Sequence, residues 1–236
     1  MKTVLHKADT RGHASHGWLE SYHTFSFAGY HDPSRTHFGV LRVLNDDSVA
    51  PGMGFGKHPH DNMEIISIPL EGDLQHEDST GTKAVIRQGD VQIMSAGTGI
   101  MHSEKNANND KHVKFLQIWV FPNQKNVQPR YDQKTFSEES KRNQLLTVVS
   151  PMGSTDGVNI HQDAWFSLGN LDPGTELSYN VKKEGNGVYA FVLEGDVTIN
   201  EVALNRRDGL GISEELSLTI KADNAVRLLL MEVPMN

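Results

Sequence analysis

The sequence contains no cysteine, and that one absence excludes disulfides, thiolate metal sites and cysteine nucleophiles together. It also lacks a basic excess. Lys plus Arg number 22 against 30 for Asp plus Glu, giving a net charge of −8 with histidine neutral. An acidic surface repels phosphate backbones, and Lys105, Lys111 and Lys114 are dispersed rather than clustered. Direct nucleic-acid binding is therefore not expected. Long apolar runs are missing too. The opening MKTVLHKADTRGHASHGWLE holds no continuous hydrophobic segment, so neither a signal peptide nor a membrane contact is expected, and the cytoplasm is the default compartment. Helical periodicity is weak everywhere. Its best candidate is Ser137–Leu146 (SEESKRNQLL), with Ser137 placed to cap and acidic residues in the first turn.

What is present reads as strand. The segments 63-MEIISIPLEGDLQHED-78, 83-KAVIRQGDVQIM-94, 112-HVKFLQIWVF-121 and 188-VYAFVLEGDVTIN-200 are rich in β-branched and aromatic residues. Gly, Asp and Asn punctuate them at short intervals, as in sandwiches and barrels. Leu70-Glu71-Gly72-Asp73 recurs as Leu193-Glu194-Gly195-Asp196, and Arg87-Gln88-Gly89-Asp90 has a counterpart in Arg207-Asp208-Gly209-Leu210. Two matches in the same order point to a duplicated β-unit. The division then falls within the polar stretch 124–144, which contains Pro129, and gives domains of residues 1–130 and 131–236.

The 12 histidines are concentrated in the first half. His58 and His60 are two apart, so on an extended strand they share a face about 6–7 Å apart at Cα. His102 and Glu104 repeat that spacing. Facing strands of a small barrel would bring three nitrogens and one carboxylate onto one ion. Such a set suits Fe(II), Mn, Co, Ni, Cu or Zn and leaves coordination positions open.

The same residues resemble a known pattern. Gly52-x5-His58-x-His60-x3-Glu64, followed by a strand and Gly72, resembles the first cupin motif, and Gly89-x5-Ser95-Ala96-Gly97 with His102 resembles the second. Arg11–Pro33, Leu41–Ile66, Gln92–Glu104 and Gln117–Pro122 resemble the pirin family more narrowly, over about residues 5 to 150. The resemblance implies an all-β bicupin: two cupin-type barrels packed together, few short helices, and one divalent metal in the N-terminal barrel. Most cupins take their glutamate ligand at the position of Glu64, whereas pirins take it at that of Glu104. Glu64 is then expected as a hydrogen-bond partner behind the ligands. Counting from the repeated glycines places Val181, Lys183, Ala222 and Asn224 where a second site would need ligands, so the C-terminal barrel is expected to be structural.

The implied activity is a metal-dependent dioxygenase of the pirin-like type, a quercetinase cleaving a flavonol such as quercetin with O2. Fe(II) is the first choice of metal, and Glu104 is both ligand and general base. Two other classes fit the resemblance: an iron-binding, redox-sensing regulator that acts on a protein partner, and a metal-dependent cupin isomerase. His13, His16, His23, His31, His76 and Gln117 are candidate pocket residues. Phe25, Phe27, Phe55, Met94 and Trp119 are candidates for an apolar wall against a small aromatic substrate.

Overall fold

The computed structural model describes all residues, Met1–Asn236. The chain opens with β1 (Lys2–His6) and then forms β2 (Gly12–Ser15), β3 (Leu19–His23), β4 (Leu41–Val49) and β5 (Gly54–His60). These are followed by β6 (Glu64–Glu71), β7 (Leu74–Asp78), β8 (Lys83–Ile86), β9 (Asp90–Ser95), β10 (Ile100–Asn106), β11 (Val113–Val120) and β12 (Arg130–Thr135). The second half contains β13 (Leu146–Pro151), β14 (Val158–Ile160), β15 (Trp165–Leu171), β16 (Glu176–Asn180) and β17 (Asn186–Glu194). It closes with β18 (Val197–Ile199), β19 (Val202–Leu204), β20 (Gly209–Ser213), β21 (Ser217–Ala222) and β22 (Val226–Pro234).

The same plan is built twice. A seven-stranded sheet, β12-β9-β6-β11-β4-β3-β2, faces a four-stranded sheet, β5-β10-β7-β8. In the second half β1-β20-β17-β22-β15-β13-β14 faces β16-β21-β18-β19. The repeated Leu-Glu-Gly-Asp segments occupy equivalent turns, β6 to β7 and β17 to β18. Gly72 and Gly195 supply the left-handed backbone there, at φ 75° and 84°. The other repeat is looser, because Gly89 turns at φ 96° whereas Arg207 takes the positive φ in the second half.

The two large sheets share one apolar cluster of 26 buried residues. Ile66, Ile68, Leu116 and Ile118 come from the first barrel; Phe166, Phe191, Leu229 and Met231 come from the second. Each of these strands therefore turns one face to the partner barrel and the other to its own interior.

The expected division at 130/131 is crossed in both directions. Strand β1 pairs with β20 and so joins the second barrel, while β12 pairs with β9 and stays with the first. Nothing in KTVLH or RYDQKT marks which edge each strand will choose. The expected helix at 137–146 is also reduced to a single 3-10 turn, Glu139–Lys141. Asn143 at φ 51° breaks the path, and the chain must be extended again at Leu146 to enter β13.

Candidate metal centre and its cavity

Strands β5 and β10 lie side by side in the small sheet, with His58 opposite His102. A register shift follows, so that Glu104 stands opposite Phe55. This bulge gives β5 one extra residue and turns Phe55 inward. Gly54 makes the close approach workable, because a Cβ there would lie 2.2 Å from the Glu104 carbonyl oxygen. Pro59, between the two histidines, costs no ladder bond since β5 is an edge strand. Along β10, alternation buries Ile100, His102, Glu104 and Asn106.

The ligand atoms of His58, His60 and His102 all lie within 4.8 Å of one another. Glu104 forms a second group, within the same limit, with His102 and His76. The carboxylate thus reaches the cluster through their shared member, His102. Ser67 Oγ donates to Glu104 Oε1 at 3.1 Å and Gln117 Nε2 donates to Oε2 at 2.8 Å, which fixes its orientation. Ser67 is legible only as the polar break in the apolar run EIISIPLE.

The protonation pattern suits a cation. Burial, followed by the neighbouring imidazoles, lowers His102 to about 2, and burial with His58 lowers His60 to about 4. Both rings are neutral at physiological pH and offer lone pairs. His58 Nδ1 lies 2.7 Å from the Gly56 carbonyl oxygen, which can only accept, so the proton sits on Nδ1 and Nε2 is free. His102 is buried with neither ring nitrogen hydrogen-bonded. An orphaned imidazole among two others, beside a carboxylate, fits a divalent transition metal. Burial raises the Glu104 carboxyl above its ordinary value against the opposing His76, Gln117 and Ser67.

Glu64 does not take part. Strand β6 sends Ile65 and Ser67 inward, and Glu64 lies on its other face, where it accepts from Ser95 Oγ at 2.7 Å and from the His161 backbone N–H. It touches no member of the cluster, so the expectation of a hydrogen-bond partner behind the ligands is corrected. Desolvation by burial pushes Glu64 up to about 7 despite those bonds.

The cluster opens into a cavity of about 420 Å³ between the two sheets of the first barrel. Phe27, Phe55, Trp18 and Trp119 supply aromatic walls, and Trp119 stands edge-on to His60 at 4.9 Å. Of the histidine candidates, His16 and His23 line the cavity. His13 instead bonds Glu20 on the surface. His76 is fully buried behind His102, bound to Asp78 at 2.9 Å. Phe25 belongs to the core between the barrels, and Met94 to a small cluster with Ile65, Ala96 and Ile100. The cavity floor adds Ser21, Asn45 and Asp47, which composition did not single out. Burial pushes Asp47 up to about 7, against a bond from Ser21 and with help from the charges of Asp46 and Glu104.

Comparison with known proteins gives the family. A family model described as Pirin matches residues 4–120, and one described as the quercetinase C-terminal cupin domain matches residues 147–233. A quercetin 2,3-dioxygenase of Escherichia coli (strain K12) is 43% identical over 230 residues, covering 98% of each chain. The chain belongs to the pirin family. A pirin-like protein of Caulobacter vibrioides is 39% identical over 225 residues, covering 95% of this chain and 96% of its own. The bacterial pirin YhhW of E. coli, solved in complex with nickel(II), superposes with a TM-score of 0.93 at 40% identity over 99% of each chain. The pirin bicupin architecture expected from the sequence is therefore the architecture of this chain. No helix is long and apolar enough to cross a membrane.

Proposed function

We propose that His58, His60, His102 and Glu104 hold one divalent transition metal and that the chain is a dioxygenase acting on a flavonol such as quercetin. The observation that carries the reading is the orphaned His102 imidazole, grouped with two more imidazoles at the end of an aromatic-walled cavity. The names of the E. coli relative and of the quercetinase C-terminal model support the substrate class. When bound, the metal supplies a Lewis acid with open positions for a hydroxyl oxygen and O2.

The remaining chemistry belongs to the chain. Glu104 accepts the proton of the substrate hydroxyl, and burial, which raises its carboxyl above the ordinary value, makes it a stronger base. Gln117 and Ser67 aim the carboxylate and keep it from swinging away. Phe27, Phe55 and Trp119 hold a flat ring system and exclude water from the reacting centre. His60 and His102, kept neutral by burial, do not compete for the proton.

The test is O2 consumption by Fe(II)-reconstituted protein with quercetin, beside a His58→Ala/His60→Ala variant. Uptake by the parent that disappears in the variant is expected. No uptake by protein holding stoichiometric iron overturns the reading and moves attention to a redox-dependent protein partner.

A further inference from the structure

The cavity floor carries polar groups that the metal chemistry does not use. They form a row across the large sheet: His23 stands opposite Asn45, Asn45 opposite Gln117, and Gln117 opposite Ser67. Neighbouring strands lie about 4.8 Å apart, so Asn45 and His23 are roughly 5 and 10 Å from the Gln117 that holds Glu104. Two residues along, on the same face, Ser21 stands opposite Asp47. All four of Ser21, His23, Asn45 and Asp47 are buried in the protein and line the cavity.

Their hydrogen bonds leave a carboxyl oxygen of Asp47 and the amide of Asn45 spare. The single Ser21 hydroxyl proton goes to Asp47, so at 2.9 Å His23 Nε2 must donate to Ser21 Oγ. His23 Nδ1 is then a bare lone pair, and it is buried without a partner. Asn45 Oδ1 is likewise buried and unpartnered. Asp47 Oδ2 accepts nothing beyond the bond that Ser21 makes to Oδ1. A free carboxyl oxygen and an unpaired amide beside an aromatic-walled space call for a ligand that carries hydroxyls on a flat apolar body.

We propose that Asp47 and Asn45, with Asp47 held through Ser21 by His23, form a hydroxyl-recognising pole that hydrogen-bonds phenolic hydroxyls remote from the metal-binding end of the substrate. The cavity then selects polyhydroxylated aromatic ligands over those carrying a single hydroxyl. The inference rests on reading this cavity as the substrate site.

The experiment is anaerobic binding to Zn(II)-loaded protein, read by quenching of Trp18 and Trp119, which line the cavity. Zinc has no redox chemistry, so binding is seen without turnover. The probes are quercetin and 3-hydroxyflavone, which shares the metal-binding edge but has no other hydroxyl. Asp47→Asn preserves shape and the Ser21 bond while turning an amide donor toward the cavity; Asn45→Ala is the second variant. Each is expected to weaken quercetin by about tenfold and leave 3-hydroxyflavone within about twofold. Equal losses for both ligands, or no loss in either variant, overturn the proposal. Discrimination that persists in a protein without O2 uptake overturns the dioxygenase reading alone. A parent protein that turns quercetin over but binds the two ligands equally overturns the pole alone.

Discussion

The two barrels share a strand plan but fill their interiors differently. In the second, 16 buried apolar residues form one cluster between the sheets, including Ile199, Leu218, Ile220 and Leu230. In the first, the interior apolar residues are split into clusters of 6 and 4. Between them lies the band of His58, His60, His102, Glu104, Gln117 and the floor of Asn45 and Asp47. Ala222, where counting placed a ligand, is packed in the second barrel's core. The difference teaches that this sandwich closes on either a dry core or a polar site. The polar choice is sustainable because the 26-residue cluster between the barrels stabilises the outer faces of both.

The sharpest way to break the comparison is to make the first barrel resemble the second. His102→Leu replaces a buried ring with two unpartnered nitrogens by an apolar side chain of similar size. Metal affinity is expected to fall by at least about 100-fold, beyond the effect of losing an outer-shell partner. The unfolding midpoint of the metal-free protein should hold or rise, because two desolvated polar atoms are removed. Calorimetric metal titration beside urea unfolding checks both. A large drop in metal-free stability would show that the imidazole supports the fold rather than the ion.

The converse change belongs to the second barrel. Ile220→Ala removes a fully buried side chain from its continuous core. It is expected to cost about 2–5 kcal/mol in denaturant unfolding. Metal stoichiometry per folded chain should be unchanged. If metal is lost while the protein remains folded, the two interiors are coupled and the second barrel is more than support.

How far the sequence anticipates this arrangement depends on which physical signal each feature carries. The His58–His60 and His102–Glu104 pairs are legible because period two survives within one strand. The same parity misleads at Glu64. It is an even number of residues from His60, but Asn62 at φ 44° breaks the extended path and β6 begins afresh in the other sheet. Facing parity therefore resets between the two. Partner choice at sheet edges is not local information, which is why the docking of β1 on the second barrel could not be read from its five residues. The polar floor was visible only as an Asn45-Asp46-Asp47 run inside an apolar strand. Alternation then divides it: Asn45 and Asp47 face the cavity, while Asp46 faces outward and pairs with Arg11 at 3.2 Å and Arg207 of the second barrel at 2.8 Å.

Glu64 yields the smallest predicted effect, and it lies between the two barrels through its bond from the His161 backbone. Its folded-state value of about 7 is above the ordinary 4.5. The native state therefore keeps a proton that the unfolded chain has released. That contribution is fully present below pH 4.5 and is lost as pH rises through 7, worth on the order of 1–3 kcal/mol for a nearly inaccessible group. Asp47, also raised to about 7, adds a slope of the same sign. His60 and His102, lowered by burial, act oppositely: their contribution is lost as pH falls from 6.5 through their folded values. The metal-free protein should be most stable between these limbs. Glu64→Gln keeps an acceptor for Ser95 and His161 but cannot titrate. Urea unfolding of the metal-free variant should accordingly lose less stability than the parent as pH rises from 5 to 8 and show a gain over the parent at pH 8. An unchanged slope would place the pH dependence in the first barrel's interior, with Asp47.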